Sequence, residues 1–131
     1  MFHGSCLCET VKFEVRGDFR FMGHCHCRIC RKSHGSNQAT QGLIDPNHMM
    51  ITQGQENLAR YASSDHYERF FCRTCGTRLF NAPLDRSFYS IALNVLDGDP
   101  PLQPNFHTYT RSKAPWVQLT DDFLKFDELP T

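Results

Sequence analysis

Cys72-Arg73-Thr74-Cys75-Gly76, together with Cys6-Leu7-Cys8, decides the fold that this sequence can adopt. A C-x-x-C pair followed by glycine is typical of a zinc knuckle, in which two sulfurs converge above a tight turn that glycine permits. Such a knuckle supplies two ligands, whereas a structural zinc ion needs four. Cys6 and Cys8, just before the first predicted strand, can supply the other two. A metal ion held there would cross-link the N-terminal edge to the middle of the chain, and its binding would contribute to folding.

Three further cysteines lie close together in Cys25-His26-Cys27-Arg28-Ile29-Cys30. Three thiolates from one loop can cover one side of a metal ion and leave a coordination position open, as in catalytic zinc sites. Two alternatives stay open: a fourth protein ligand could close the site, or the loop could be a redox-active or spare-thiol segment without metal. The candidate fourth ligands are His24, His26, His34 and His107.

The composition argues against a disulfide framework, the main rival explanation for so many cysteines. The chain has 131 residues with 11 Phe, 4 Tyr and one Trp, so it can bury a core without disulfide bonds, and seven cysteines leave one unpaired. Its N-terminus, Met1-Phe2-His3-Gly4-Ser5, lacks the basic and apolar regions of a signal peptide. We therefore expect a cytoplasmic protein with free thiols.

The charge balance and hydropathy restrict the partners. Lys plus Arg and Asp plus Glu number 14 each, so no global field would attract nucleic acid or an anionic membrane. No segment approaches the roughly 18 apolar residues that a membrane span requires. We expect neither nucleic acid nor a membrane as a partner.

Short runs with strand-like alternation recur between turn signals, and sustained helical periodicity is missing. The predicted strands are 10–15, 49–52, 67–71 and 88–93, the last being the most apolar and therefore central. Residues 97–101 must form a turn, because two prolines and a glycine cannot hold a ladder. Only residues 27–33 favour a short helical turn. The sequence predicts a mostly β protein, with several small antiparallel sheets around two metal sites in a single domain, residues 1–131.

Four segments give the chain a specific resemblance. They are Gly4-Ser5-Cys6-Leu7-Cys8, Cys25-His26-Cys27-Arg28-Ile29-Cys30-Arg31-Lys32, Phe71-Cys72-Arg73-Thr74-Cys75-Gly76 and Arg111-Ser112-Lys113-Ala114-Pro115-Trp116. With them the chain resembles, over nearly its whole length, the glutathione-dependent formaldehyde-activating enzymes, also called the centromere protein V/formaldehyde-activating domain family. One departure is Glu9, which stands where this family commonly has glycine after the first C-x-C.

The resemblance implies an all-β fold with two zinc ions. Cys6, Cys8, Cys72 and Cys75 match the structural zinc ligands, and Cys25, Cys27 and Cys30 match the ligands of the catalytic zinc. The implied activity is the condensation of formaldehyde with glutathione to S-(hydroxymethyl)glutathione, classed as a carbon-sulfur lyase written in reverse. We therefore expect a zinc-dependent carbon-sulfur lyase whose partners are a small thiol such as glutathione and a small aldehyde.

Two other classes of function compete with the enzyme. One is a zinc module that captures thiols or aldehydes, or buffers metal, without turnover; the other is a structural or interaction domain. For the enzyme, basic side chains could recognise the two carboxylates of glutathione, since arginine suits bidentate carboxylate binding. The candidates are Arg28, Arg31, Lys32, Arg78, Arg111 and Lys113. His26 and His107 could move protons near neutral pH, and Trp116 is predicted to close the core.

Overall fold

β-Strands form most of the regular structure, which a computed structural model describes for residues 1–130. The mostly β class predicted from the sequence is confirmed. In chain order the elements are β1 (Phe2–Ser5), β2 (Lys12–Val15), β3 (Phe21–Cys25), α1 (Arg28–His34), β4 (Ala39–Ile44), β5 (Met49–Gln53), β6 (Leu58–Ala62), β7 (Tyr67–Cys72), β8 (Arg78–Pro83), β9 (Tyr89–Ala92), β10 (Phe106–Thr108) and β11 (Leu124–Lys125). Short 3₁₀ turns at Pro46–His48, Gln55–Asn57, Leu93–Val95 and Thr110–Ser112 connect some of them.

The strands form two sheets rather than several small ones. One has three antiparallel strands in the order β1-β2-β5, and the other has eight in the order β11-β10-β3-β4-β9-β8-β7-β6. The expectation of purely antiparallel sheets is wrong at one edge, since β10 runs parallel to both β3 and β11. Short turns force neighbouring strands to be antiparallel. No short turn connects β10 to β3, because most of the chain lies between them, so these two strands can pair in parallel.

The hydrophobic core joins the two sheets. Phe13 and Val15 point from β2 into the same cluster as Ile91 from β9. The rings of Phe70 and Phe80 stack in this cluster with centroids 4.4 Å apart. The predicted apolar strand at 88–93 appears as β9, which lies between β4 and β8 in the middle of the larger sheet, as expected.

The face of β7 and β8 opposite the stacked Phe70 and Phe80 rings is polar. The three-cysteine loop lies against this face, where Arg69 contacts Cys30. Phe70 is paired with Phe80 across β7 and β8, and the adjacent pair is Arg69 with Asn81. Successive side chains of a strand point to opposite faces, so Arg69 and Asn81 lie on the face away from the aromatic pair. Both are buried although polar. The larger sheet is therefore covered on both faces here.

The helical turn predicted at 27–33 is helix α1, displaced by one residue. Cys27 is its N-cap, and its Sγ accepts a hydrogen bond from the Cys30 amide at 3.3 Å. Gly35 ends the helix in the left-handed conformation, with φ of 59°. This helix has seven residues, and none in the described part of the chain is long and apolar enough to cross a membrane.

Candidate metal centres and active site

The first cysteine cluster joins the N-terminal strand to the knuckle after β7. The Sγ atoms of Cys6, Cys8, Cys72 and Cys75 all lie within 4.8 Å of one another. Cys8 Sγ is 3.6 Å from Cys6 Sγ and 3.8 Å from Cys72 Sγ. Four sulfurs at zinc-sulfur distances of about 2.3 Å in a tetrahedron would be about 3.8 Å apart. The donor set and its spacing therefore fit a closed tetrahedral zinc site, and all seven cysteines are free thiols rather than disulfides.

The knuckle has the backbone geometry that the sequence predicts. The Gly76 amide donates to the Cys72 carbonyl at 2.9 Å, and the Cys72 amide donates to the Thr77 carbonyl at 3.0 Å. Gly76 has φ of 78°, a conformation that most side chains disfavour. Asn57 lies in the turn between β5 and β6. Its Nδ2 donates to Cys72 Sγ at 3.3 Å and thereby orients this sulfur.

Local hydrogen bonds tune the thiols of this cluster in different directions. Burial alone would raise the pKa of Cys75, but hydrogen bonds from Thr77 outweigh it and lower the pKa to about 5. Hydrogen bonds with Thr10 lower the pKa of Cys8. Burial raises the pKa of Cys6 to about 11. Two of these sulfurs are thus stabilised as thiolates, the form that binds metal.

The second cluster consists of Cys25, Cys27 and Cys30, whose Sγ atoms also lie within 4.8 Å of one another. Cys25 ends β3, Cys27 caps α1, and Cys30 is buried on that helix. Hydrogen bonds from Cys25 and Cys30 lower the pKa of Cys27, while hydrogen bonding with Cys27 raises that of Cys25. Hydrogen bonding within the trio therefore favours the thiolate form at Cys27 over that at Cys25. A soft divalent metal could replace the shared protons and bind all three sulfurs.

The histidines considered as a fourth ligand do not join this cluster. Within residues 1–130, no histidine nitrogen or carboxylate oxygen lies within 4.8 Å of all three sulfurs. His24 Nδ1 is 2.9 Å from Thr40 Oγ1 and 3.0 Å from Gln38 Nε2. His34 Nε2 is buried without a hydrogen-bond partner. The geometry favours an open three-sulfur site over one closed by histidine.

His26 and His107 instead bind each other. His26 Nε2 lies 2.9 Å from His107 Nδ1, and His107 Nε2 lies 2.9 Å from Asp121 Oδ2. Both imidazoles are buried, with 0% and 2% of their surface exposed. Hydrogen bonding from His107 lowers the pKa of Asp121 to about 2. The middle of the cysteine loop is thereby connected to the C-terminal segment.

Three side chains around the second cluster and the histidine pair were missed by sequence reasoning: Arg69, Tyr67 and Asp121. Arg69 Nη1 donates to Cys30 Sγ at 3.5 Å, and its guanidinium lies 4.9 Å from the centroid of the Tyr67 ring. Burial raises the pKa of Tyr67 to about 12, so its phenol stays protonated. The signal that could have identified Arg69 is a charged pair, Glu68-Arg69, inside an aromatic strand; Asp121 carries no such signal.

The basic candidates for carboxylate binding separate into distinct environments. Arg111 is paired with Glu128 at 2.7 Å, and Lys113 donates to the Val117 carbonyl at 3.0 Å. The Arg31 guanidinium lies 5.7 Å from the Trp116 ring centroid. The expectation that Trp116 closes the core is wrong, since 72% of its surface is exposed.

Trp116 instead belongs to a surface groove. Its Nε1 donates to Asn37 Oδ1 at 2.7 Å, and the groove that it lines, of about 290 Å³, also contains Arg28, Arg31 and Lys32. Its hydrogen bond to Asn37 and its contact with Arg31 hold the indole at the surface.

Comparison with known proteins agrees with this geometry. The family profile described as glutathione-dependent formaldehyde-activating enzyme matches residues 1–112. The chain belongs to this family. The resemblance drawn from the cysteine segments is thus confirmed.

Two curated proteins and one solved structure resemble this family member. A Halomonas elongata protein, named provisionally as a glutathione-dependent formaldehyde-activating enzyme, is 27% identical over 91% of this chain and 81% of its own length. An uncharacterized lyase of Schizosaccharomyces pombe is 33% identical over 62% of this chain and 57% of its own length. A crystal structure of a Rhodobacter sphaeroides protein is 27% identical, with a TM-score of 0.64 over 76% of this chain and 91% of that one. The names of the two relatives indicate an enzyme.

Proposed function

We propose that this protein is a zinc-dependent carbon-sulfur lyase that interconverts formaldehyde plus glutathione with S-(hydroxymethyl)glutathione. The observation that carries the proposal is the cluster of Cys25, Cys27 and Cys30, which gathers three sulfurs on one loop and leaves no histidine of the described chain as a fourth ligand. Family membership and the lyase name of one relative support the same chemistry.

The proposal assigns one metal ion to each cluster. At Cys6, Cys8, Cys72 and Cys75 a zinc ion would be structural, because four sulfurs complete its coordination. At the three-cysteine cluster a zinc ion would supply Lewis acidity and stabilise a thiolate near neutral pH. Free thiols are needed for both sites, so we assign the protein to a reducing compartment, the cytoplasm.

The reaction forms one bond and moves one proton. The glutathione sulfur attacks the carbonyl carbon of formaldehyde, the carbon-oxygen π pair moves to oxygen, and the proton lost by the thiol ends on that oxygen. The chain must therefore stabilise a thiolate and hold the two reactants together. Arg69 contributes by donating to Cys30 Sγ at 3.5 Å, which offsets the negative charge of the sulfur cluster.

His26 and His107 have a positioning role in this proposal rather than the proton-transfer role considered from the sequence. They are buried and hydrogen-bonded to each other and to Asp121, and His26 lies between two of the three cysteines. A fixed imidazole at this point restrains the backbone of the loop. The sulfurs of Cys25 and Cys27 are thereby held in one arrangement before substrate arrives.

Exchange spectroscopy by NMR tests the proposal. Thiols add to formaldehyde without a catalyst, so the measurement is the exchange rate between free and glutathione-bound formaldehyde above the spontaneous rate. We expect acceleration by zinc-loaded protein and none by Cys27→Ser at equal concentration. Tyr61→Ser, an exposed substitution on β6, is the control and should accelerate exchange like the unmodified protein. If the folded, zinc-loaded protein leaves the spontaneous rate unchanged, the lyase assignment is wrong and a thiol-binding module without turnover replaces it.

A further inference from the structure

A polar cavity lies between the knuckle that carries Cys75 and the last turn of α1. Its volume is about 320 Å³, within the range of small-molecule sites. One wall is the end of the knuckle, with Cys75 and Thr77, and another is the last turn of α1, with Ser33 and His34. Arg78, at the start of β8, also lines it. The cavity thus places a basic side chain beside the helix that carries Cys30.

The charge of Arg78 is not balanced by any carboxylate. Its guanidinium donates to Ser33 Oγ and Asn81 Oδ1, and its Nε donates to the Phe70 carbonyl at 3.5 Å; these acceptors are all neutral. The neighbouring Arg69 donates to Ser63 Oγ at 3.0 Å and to Cys30 Sγ at 3.5 Å. Across residues 1–130, no ion pair includes either arginine.

Arg78 is half-buried, and a partly buried positive charge is stabilised by pairing with an anion. Burial and the charge of Arg69 lower the pKa of Arg78 to about 10, which still leaves it protonated at neutral pH. The thiolates beside Arg69 can balance one of the two charges. Arg78 lines the cavity, and no carboxylate of residues 1–130 forms an ion pair with it.

The last turn of α1 connects the cavity to the helix face that carries Cys30. His34 Nε2 is buried without a hydrogen bond, and His34 lines the same space as Arg78. Cys30, Ser33 and His34 share one face of α1, since positions three and four apart are neighbours on a helix. A ligand whose sulfur lies at the three-cysteine cluster would therefore extend along this face towards Arg78.

We propose that this cavity binds a carboxylate of the thiol substrate, with Arg78 as its cationic ligand and Ser33 beside it. The inference rests on the proposed function, because a thiol anchored at the second cluster determines which part of the ligand reaches Arg78. Glutathione fits, since its glycine carboxylate is only a few bonds from the sulfur. A neutral thiol of the same size would leave the charge of Arg78 unpaired.

The test measures binding alone, so that its failure is distinct from a failure of catalysis. Glutathione alone, without formaldehyde, keeps its thiol and has no partner for carbon-sulfur bond formation, and its affinity for the zinc-loaded protein is measured by calorimetry. We expect its dissociation constant to rise at least about tenfold in Arg78→Gln, the usual scale for losing a charged hydrogen bond. Arg16→Gln, an exposed arginine beyond β2, is the matched control and should leave it within about twofold.

A change in the ligand gives the same test without a variant that could misfold. Glutathione with its glycine carboxylate converted to the amide should bind the unmodified protein about tenfold more weakly than glutathione, and Arg78→Gln should weaken it no further. Equal affinity of acid and amide would overturn the proposal. So would weakened binding in Arg28→Gln with none in Arg78→Gln, because that result places the anion in the exposed groove beside Trp116.

Discussion

His26 and His107 are 81 positions apart in the chain, yet their Nε2 and Nδ1 atoms form a buried hydrogen bond of 2.9 Å. Asp121 accepts from His107 Nε2–H, so the Nδ1 of His107 is the acceptor for His26 Nε2–H. This arrangement fixes both tautomers and leaves His26 Nδ1 as an unprotonated nitrogen, which has no hydrogen-bond partner. The cysteine loop is therefore held by a chain of contacts that crosses from β3 to the segment after β10.

Replacing His107 should destabilise the protein. In His107→Leu the buried His26 Nε2–H loses its acceptor, and an unsatisfied buried donor costs about 1–3 kcal/mol. Urea unfolding of the zinc-loaded protein measures the free energy of unfolding. The exposed His66→Leu is the control and should change it by less than about 0.5 kcal/mol. Equal stability of the two variants would show that the histidine pair does not hold the loop.

Acid should destabilise the protein through two histidines before its carboxylates are protonated. Burial lowers the pKa of both His26 and His34 from 6.5 to about 4. Between these values the unfolded chain binds protons that the folded chain does not, so stability falls as pH drops from about 6.5 to about 4 and is unaffected by these groups above that window.

The pH effect can be measured at one of the two residues. His34→Gln should make the decline of the urea midpoint below pH 6.5 shallower. His66→Gln, on an exposed turn, should leave the slope as it is. NMR of the imidazole carbons provides a direct reading, because the signals of His26 and His34 should show no protonation between pH 8 and about 5.5. Protonation of either ring near pH 6.5 would contradict this prediction.

The two cysteine clusters should differ in what their loss does to the fold. Cys72 is buried in the core cluster and belongs to the four-sulfur site, so under the proposed zinc assignment Cys72→Ser removes a ligand of the structural ion. We expect it to lose the cooperative thermal transition. Cys27→Ser should keep that transition and bind one zinc equivalent instead of two. Metal content after gel filtration and circular dichroism check both outcomes, and a folded Cys72→Ser protein would assign the structural role elsewhere.

The cysteine clusters were predictable because their sulfurs come from short motifs: one cluster lies on a single loop, and the other combines two distant pairs that together make the four ligands of a closed site. Knuckle spacing and strand alternation are local patterns, and the strands at 49–52 and 67–71 appear as β5 and β7. The pairing of β10 with β3 was not predictable, because no turn between them sets its direction. Local patterns also gave no indication that Arg69 would lie beside Cys30.

Trp116 shows a different limit. A large apolar residue after Pro115 is expected in a core, and here contacts with Arg31 and Asn37 hold it at the surface. The chemistry of the candidate site likewise has a part that local sequence predicts and a part that it does not. The candidate metal ligands follow from the cysteine spacing, whereas the charged side chains around them come from strands that meet only in the folded chain.

Glu9 stands where the family commonly has glycine, and its backbone conformation is one that glycine adopts without strain. Glu9 follows the Cys6-x-Cys8 ligands and has φ of 63°, a left-handed conformation that costs a residue with a side chain roughly 1–2 kcal/mol. Its carbonyl accepts from Gln53 Nε2 at 3.0 Å, a contact that glycine would keep. Glu9→Gly should therefore raise the free energy of unfolding by about 0.5–1 kcal/mol, after allowing for the greater freedom of glycine in the unfolded chain.

Gly98→Ala is the reverse control: φ there is 77° with open space around the new methyl group, so it should lower stability by conformational strain alone. Urea unfolding of the zinc-loaded proteins measures both. A Glu9→Gly protein less stable than the original would mean that the Glu9 side chain, rather than its backbone, determines the turn.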